Sequence, residues 1–399
     1  MNYFFLCLPS LLFPFFLNAQ TWQQLPDFPG PARDDGAAFV IGNKAYCGTG
    51  LAVGWVTTND FYVFDMSTET WANAPSLPTG EERQYACGFS DGTKGYIFGG
   101  LDGAGNFLND LWCFDTLAQS WTSKSFLPGA GRSGASCFVL GDSAYVIGGM
   151  TTSSTASNEV WKYRFSTDTW TQLANFPAGC WRGSAASNGV TGYSLFGRDA
   201  GNNFAGEFRV YDPGFDVWLT QNSFPAPGRA YAAMQIINGK AVVFAGIDTS
   251  QTVHGDCWTF TLSNWQWTQQ PPIPSVARKG GMSFTNGIDF YYTTGIDQFN
   301  TRLAETWKLS DPTSVKEISA KTFLEIFPNP ASELVTLRFP FCNKATLRVS
   351  DLSGEILQEE TLAGDRFFLS LEKIPPGIYL VTLQGESRMI AQKLVVAKR

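Results

Sequence analysis

The sequence predicts an all-β molecule: a six-bladed β-propeller followed by a small antiparallel β-sandwich. Three observations carry this. Trp recurs at Trp22, Trp71, Trp121, Trp170, Trp218 and Trp267, and Arg at Arg33, Arg83, Arg132, Arg182, Arg229 and Arg278, each series stepping by 47 to 50 residues. An apolar run closes on Gly50, Gly100, Gly149, Gly197, Gly246 and Gly295, and an acid follows each at Asp60, Asp110, Glu159, Glu207, Asp256 and Glu305. A period near fifty is that of a propeller blade. Beyond residue 311 the period stops and short alternating strands take over.

Residues 4–17 form an apolar run, broken by Pro9 and Pro14 and followed by Asn18-Ala19-Gln20. The run is too short and broken to span a bilayer, so 1–19 reads as a signal peptide cleaved after Ala19, although no Lys or Arg precedes it. No transmembrane span is expected. With 33 Phe, 13 Tyr and 13 Trp in 399 residues the chain suits an extracellular β protein. Its formal charge of -7 offers no attraction to phosphate backbones, which excludes nucleic acid as a partner. Cys47, Cys87, Cys113, Cys137, Cys180, Cys257 and Cys342 remain after cleavage. They are odd in number, lack a C-x-x-C pair and fall mostly in predicted strands, so buried thiols are the default.

The unit from Trp71 to Trp121 displays the blade. Residues 84–89 form an apolar strand, Asp91-Gly92 a hairpin turn, and 95–100 a second strand. Residues 101–108 form a loop, 109–115 a third strand, and Ser120-Trp121-Thr122 opens a fourth. From each acid to the next Trp is eleven residues, but eleven past Glu305 stands Lys316. The last blade thus lacks a fourth strand and Trp22 is the spare, so 21–25 is expected to pair beside 306–309 and hide an open edge.

The Trp series is expected to pack between blades. Each Arg is expected to reach across the glycine to its acid, about 10 Å away between backbones, in a ring of charge-assisted bonds. The alternative is an Arg ring for anionic ligands. A ligand site belongs where the copies differ, in the loops before each Arg and between second and third strands. The candidates there are Asp34, Asp35, Glu81, Glu82, Trp55, Trp181, Arg198, Asp199, Asp248, His254, Asp297, Phe299 and Arg302.

Arg before the first strand, glycines ending the second, an aromatic in the third and Trp opening the fourth together resemble the Kelch repeat over residues 21–310. Asn109-Asp110-Leu111-Trp112 through Trp121, with Leu127-Pro128 and Arg132, matches it closely. Blade four departs, with Phe196-Gly197 for a glycine pair and Arg209 where other third strands carry Tyr62, Trp112, Trp161, Trp258 or Trp307. His254 is the only histidine, so the two-His copper chemistry of galactose-oxidase-like Kelch propellers is excluded, and no metal or cofactor is expected. G-x-S-x-G and H-E-x-x-H motifs are absent, and the glycine-rich stretch 99–105 lies between strands. No catalytic residue is assigned.

Residues 312–322 read as a linker to a domain at 323–399, with strands at 334–337, 346–349, 368–371, 378–381 and 393–396. Ile326-Phe327-Pro328-Asn329-Pro330-Ala331, Asp351-Leu352-Ser353-Gly354, Pro376-Gly377-Ile378-Tyr379 and the terminal Lys393-Leu394-Val395-Val396-Ala397-Lys398-Arg399 resemble the type A C-terminal sorting domain of the type IX secretion system of Bacteroidetes. The resemblance implies recognition by the secretion machinery and a secreted or outer-surface location. The propeller is accordingly expected to be a protein- or glycan-binding module acting on an unknown ligand at its loop face. The alternative is a secreted carbohydrate-active enzyme, similar to Kelch-like sialic-acid mutarotases, using acid and Arg residues at the channel mouth.

Overall fold

The computed structural model describes residues 21–310, 325–338, 345–351, 355–362, 366–384 and 389–397. The expected signal peptide and linker, with Cys342, lie outside them. The chain divides into two compact units, Met1–Val315 and Lys316–Arg399. Every regular element among the described residues is a strand.

Alternating apolar and small residues, punctuated by Gly, Asn and Asp turns, produce six antiparallel sheets with a four-strand path in the first unit, one of them joined by a fifth short strand, Arg83–Gln84. The first blade is Ala37–Ile41, Lys44–Gly48, Phe61–Asp65 and Thr70–Ala74, in that spatial order. The first strand of each sheet touches the first strands of two neighbours, and the contacts close into a ring. These strands line a central channel of about 410 Å³ with small residues such as Gly36, Ala37, Ala86, Ala135 and Ala232. In the last sheet Thr21–Leu25 runs antiparallel to Thr306–Ser310, with Trp22 opposite Leu309.

Aromatic side chains fill the space between sheets. Phe39, Tyr46, Phe61 and Phe114 are buried in one cluster, with Trp121 packed against it. Burying an aromatic of this size contributes at most several kcal/mol, at about 25 cal/mol/Å². The Trp series also fastens the fourth strands. The indoles of Trp71, Trp121, Trp170 and Trp267 donate to the carbonyls of Pro26, Pro75, Ser125 and Asn222, and Trp22 to that of Pro271. Trp218 departs from the series: its buried indole nitrogen has no partner.

The second unit consists of a three-stranded sheet, Glu325–Phe327, Leu334–Arg338 and Arg366–Ser370, and a four-stranded one. The latter runs Ile356–Leu362, Ala345–Ser350, Gly377–Gln384, Met389–Val396. Val335, Leu337, Leu347, Val349, Leu369, Val381 and Leu394 form its core. The Pro-Asn-Pro segment seats on the last strand. Asn329 Nδ2 donates to the Lys393 carbonyl at 2.7 Å, and the Val395 amide donates back to Asn329 Oδ1 at 2.8 Å.

Candidate functional site at the channel mouth

Five of the six repeat arginines do one thing. Arg33, Arg83, Arg132, Arg229 and Arg278 are buried, and each pairs with the acid 27 residues on, at 2.5 to 2.7 Å. The closing glycine is required by its backbone. Gly50 has φ of +102°, and a Cβ there would lie 2.5 Å from the Asp34 carbonyl. Burial alone would raise the carboxyls of Asp60, Glu159, Asp256 and Glu305, but bonds from the guanidinium and other donors hold all four below the ordinary range.

Arg182 does not belong to this set, which corrects the sequence reading. In five of the six blades the amide of the closing glycine donates to the carbonyl of the next blade's repeat arginine, as Gly100 does to Arg132 and Gly197 to Arg229. Gly149 donates instead to Cys180. Cys180 therefore stands in the arginine position of blade four, and 180 to 207 restores the interval of 27 that Arg182 breaks. Glu207 is left with Arg209 at 3.9 Å.

Arg182 instead joins a ring around the channel mouth. Asp35, Tyr85, Gly134, Arg182, Tyr231 and Gly280 occupy equivalent positions, all with φ between +58° and +66°. Their amides donate in a closed circuit: Asp35 to Gly280, Gly280 to Tyr231, Tyr231 to Arg182, Arg182 to Gly134, Gly134 to Tyr85, Tyr85 to Asp35. The backbone is symmetric, the side chains are not. Arg182 extends across the mouth and donates from Nη1 to Asp35 Oδ1 at 2.7 Å. Its guanidinium lies 3.0 Å from the ring centroid of Tyr85 and 4.4 Å from that of Tyr231. Its Nε and Nη2 are buried without a partner. Burial raises the Asp35 carboxyl, Arg182 lowers it in part and Asp34 raises it again, leaving it at about 7.

Three more cations border this mouth. Arg302 Nε donates to Asp34 at 2.6 Å, stands 4.8 Å from the Trp55 ring and leaves Nη2 unpartnered. Arg198 lies 4.2 Å from the Trp181 ring, with Nη1 on Asn202 and Nε unpartnered. Lys279 lies 5.5 Å from Tyr231, and burial lowers its pKa against the pull of Asp35 and Asp34. Six sequence candidates thus meet here: Asp34, Asp35, Trp55, Trp181, Arg198 and Arg302.

The remaining candidates, Phe299 apart, are held by partners in their own loops. Asp199 accepts from Asn203, Asp248 from Ser250, Thr252 and His254, and Asp297 from the amides of Phe299 and Thr301. His254 is thus held by Asp248, and Phe299 is exposed. Glu81 pairs with Arg83, and Glu82 accepts from the Gly80 amide. Tyr85, Tyr231 and Lys279 escaped the sequence reading; the broken 27-residue interval marks Arg182 as out of place but carries no sign of them. No group of three His, Cys, Asp or Glu that could hold a metal occurs among the described residues.

Comparisons with known proteins agree with this architecture. Residues 35–224 match the KLHDC2/KLHL20/DRC7 Kelch-repeats domain, and 325–397 match the secretion system C-terminal sorting domain. A solved structure titled "Structure of YjhT" superimposes with a TM-score of 0.61 at 17% identity, covering 71% of this chain and 95% of that one. Significant matches extend to 721 solved chains, an architecture too widely shared to select a function. No curated protein matches significantly. A sorting domain of this type marks proteins secreted or anchored at the outer cell surface, and it implies engagement with the secretion machinery. No helix among the described residues is long and apolar enough to cross a membrane. The chain is a Kelch-repeat β-propeller carrying a type IX secretion system C-terminal sorting domain.

Proposed function

We propose that the exported propeller is a binding module for a glycan or a protein bearing acidic groups, and that a ligand carboxylate docks on Arg182 at the channel mouth. One observation carries this reading: Arg182 is buried, yet two of its nitrogens have no acceptor. An unmet buried donor costs about 1–3 kcal/mol, more for a charged group, and a ligand carboxylate removes that cost. Arg302 and Arg198 present further unmet donors nearby, and the exposed Trp55 offers an apolar face to a sugar ring.

Binding of the purified full chain to a glycan array tests this. Glycans bearing uronic or other sugar acids should be retained, and Arg182→Lys should weaken retention by roughly tenfold or more, since Lys lacks the planar fork. Retention of neutral glycans alone, or no effect of Arg182→Lys, would sink the reading.

The Asp35 carboxyl, near neutrality beside Arg182, favours a second reading: a carbohydrate-active enzyme of the sialic-acid mutarotase kind. That reading requires faster anomeric exchange of a bound sugar acid, seen by NMR, and its loss in Asp35→Asn.

A further inference from the structure

Blade four holds a cavity of about 200 Å³ lined by Phe176, Ala178, Cys180, Phe196, Glu207 and Arg209, with Arg198 on the side toward the mouth. Its origin is the exchange of arginine for cysteine at position 180. In the other blades the space is filled by a guanidinium with a repeated set of partners. Arg33 donates from Nε to the carbonyl two residues earlier, Pro31, and from Nη1 to the carbonyl sixteen residues on, Thr49. It pairs with both oxygens of Asp60 and lies 4.8 Å from the Phe28 ring. Arg229 repeats the contacts to Ala245, Asp256 and Phe224, though its Nε has no acceptor.

Blade four keeps the partners and lacks the guanidinium. The carbonyl sixteen residues past Cys180 is that of Phe196, and it receives only the thiol, at 3.6 Å. The residue two before is Ala178, the acid 27 on is Glu207, and the ring in the place of Phe28 is Phe176, whose amide donates to Asn158 as that of Phe28 does to Ala304. All four line the cavity. Arg209 replaces the missing group only in part: its guanidinium lies 5.5 Å from the Phe176 ring and 3.9 Å from Glu207, and it reaches neither the Phe196 nor the Ala178 carbonyl. It stands where Trp112, Trp161, Trp258 and Trp307 donate to the acid oxygen that also accepts from the scaffold arginine, and its Nη1 is held by Thr220 at 3.0 Å. Glu207 meets Arg209 at 3.9 Å, beyond hydrogen-bond distance, and its side chain is 44% exposed. Burial pushes the Cys180 thiol up to about 12, so it stays neutral and adds no charge to the site.

We infer that blade four carries a guanidinium-binding pocket, built from Glu207, the Phe196 and Ala178 carbonyls and the Phe176 ring, that accepts the arginine side chain of a partner polypeptide or a small guanidinium compound. The chain itself shows how that slot binds such a group in the other blades. Charge-assisted bonds to a carboxylate and two carbonyls discriminate against ammonium, which lacks the planar fork.

The test uses the purified full chain with methylguanidinium, agmatine, a blocked Gly-Arg-Gly peptide and its Gly-Lys-Gly counterpart, read by calorimetry and thermal shift. The guanidinium probes should bind at least tenfold more tightly than the lysine peptide. Glu207→Gln should weaken them by tenfold or more, and Arg182→Lys should leave them unchanged. Cys180→Arg, which supplies the group from within, should abolish binding and raise the melting temperature. Preference for the peptide over agmatine points to a polypeptide source, and the reverse to a small compound. The inference is overturned if no guanidinium probe binds, if the lysine peptide binds as well, or if binding survives in both Glu207→Gln and Cys180→Arg. Should Cys180→Arg fail to fold, Glu207→Gln alone decides.

Discussion

Asp35 and Arg182 concentrate the asymmetry of the mouth in two side chains. Asp35 faces Arg182, with Asp34, Tyr85, Tyr231 and Lys279 around it, and its carboxyl stands at about 7 against roughly 3.9 in the unfolded chain. Between those values the native state holds the extra proton, so Asp35 makes stability fall as pH rises from about 4 to 7, with no further change above. Asp35→Asn should remove that slope, so that the loss of stability between pH 5 and pH 8 is smaller than in wild type. Urea unfolding at pH 5 and pH 8 measures it, and equal slopes in both proteins would contradict the assignment. Asp60, Glu159, Asp256 and Glu305 act with the opposite sign. Their carboxyls are lowered, so their contribution is present above about pH 4 and lost as pH falls through the depressed values.

At the scale of the element, the strand Thr21–Leu25 joins the ends of the propeller by pairing with Thr306–Ser310. It also places Trp22 4.9 Å from Phe244 of the neighbouring sheet. Deleting residues 21–25 uncovers a strand edge and removes that indole. The melting temperature should fall by 5 °C or more and the protein should associate through the bare edge, as read by calorimetry and size-exclusion chromatography. Blade four shows the converse case, where an element tolerates loss of a scaffold residue. With Cys180 in place of arginine its strands still pair in order, Ser184–Ser187, Gly192–Leu195, Arg209–Asp212, Val217–Thr220. Backbone ladders and aromatic packing suffice to hold a blade, and the arginine positions the loops above it.

For the whole molecule, the propeller and the sorting domain are separate compact units. Removing residues 323–399 should stop release to the medium or display at the surface while the propeller keeps its ligand. Fractionation of cells and medium, with binding assayed on the retained protein, checks both halves. Undiminished export of the truncated chain would remove the sorting role.

The repeat period, the strand pattern and the sorting motifs determined the fold class and its two parts, because periodic burial and turn chemistry are written locally in residue type. The same period misled at Arg182. Residue type placed it with the scaffold arginines, whereas the hydrogen-bond register gave that place to Cys180. The members of the mouth ring, Asp35, Tyr85, Gly134, Arg182, Tyr231 and Gly280, share a left-handed backbone and no common side chain, so nothing in their identity marked them as equivalent. Only closing the ring set Arg182 against Asp35, 147 residues away in the chain, and only the other blades, superimposed in space, reveal the cavity left by one missing guanidinium.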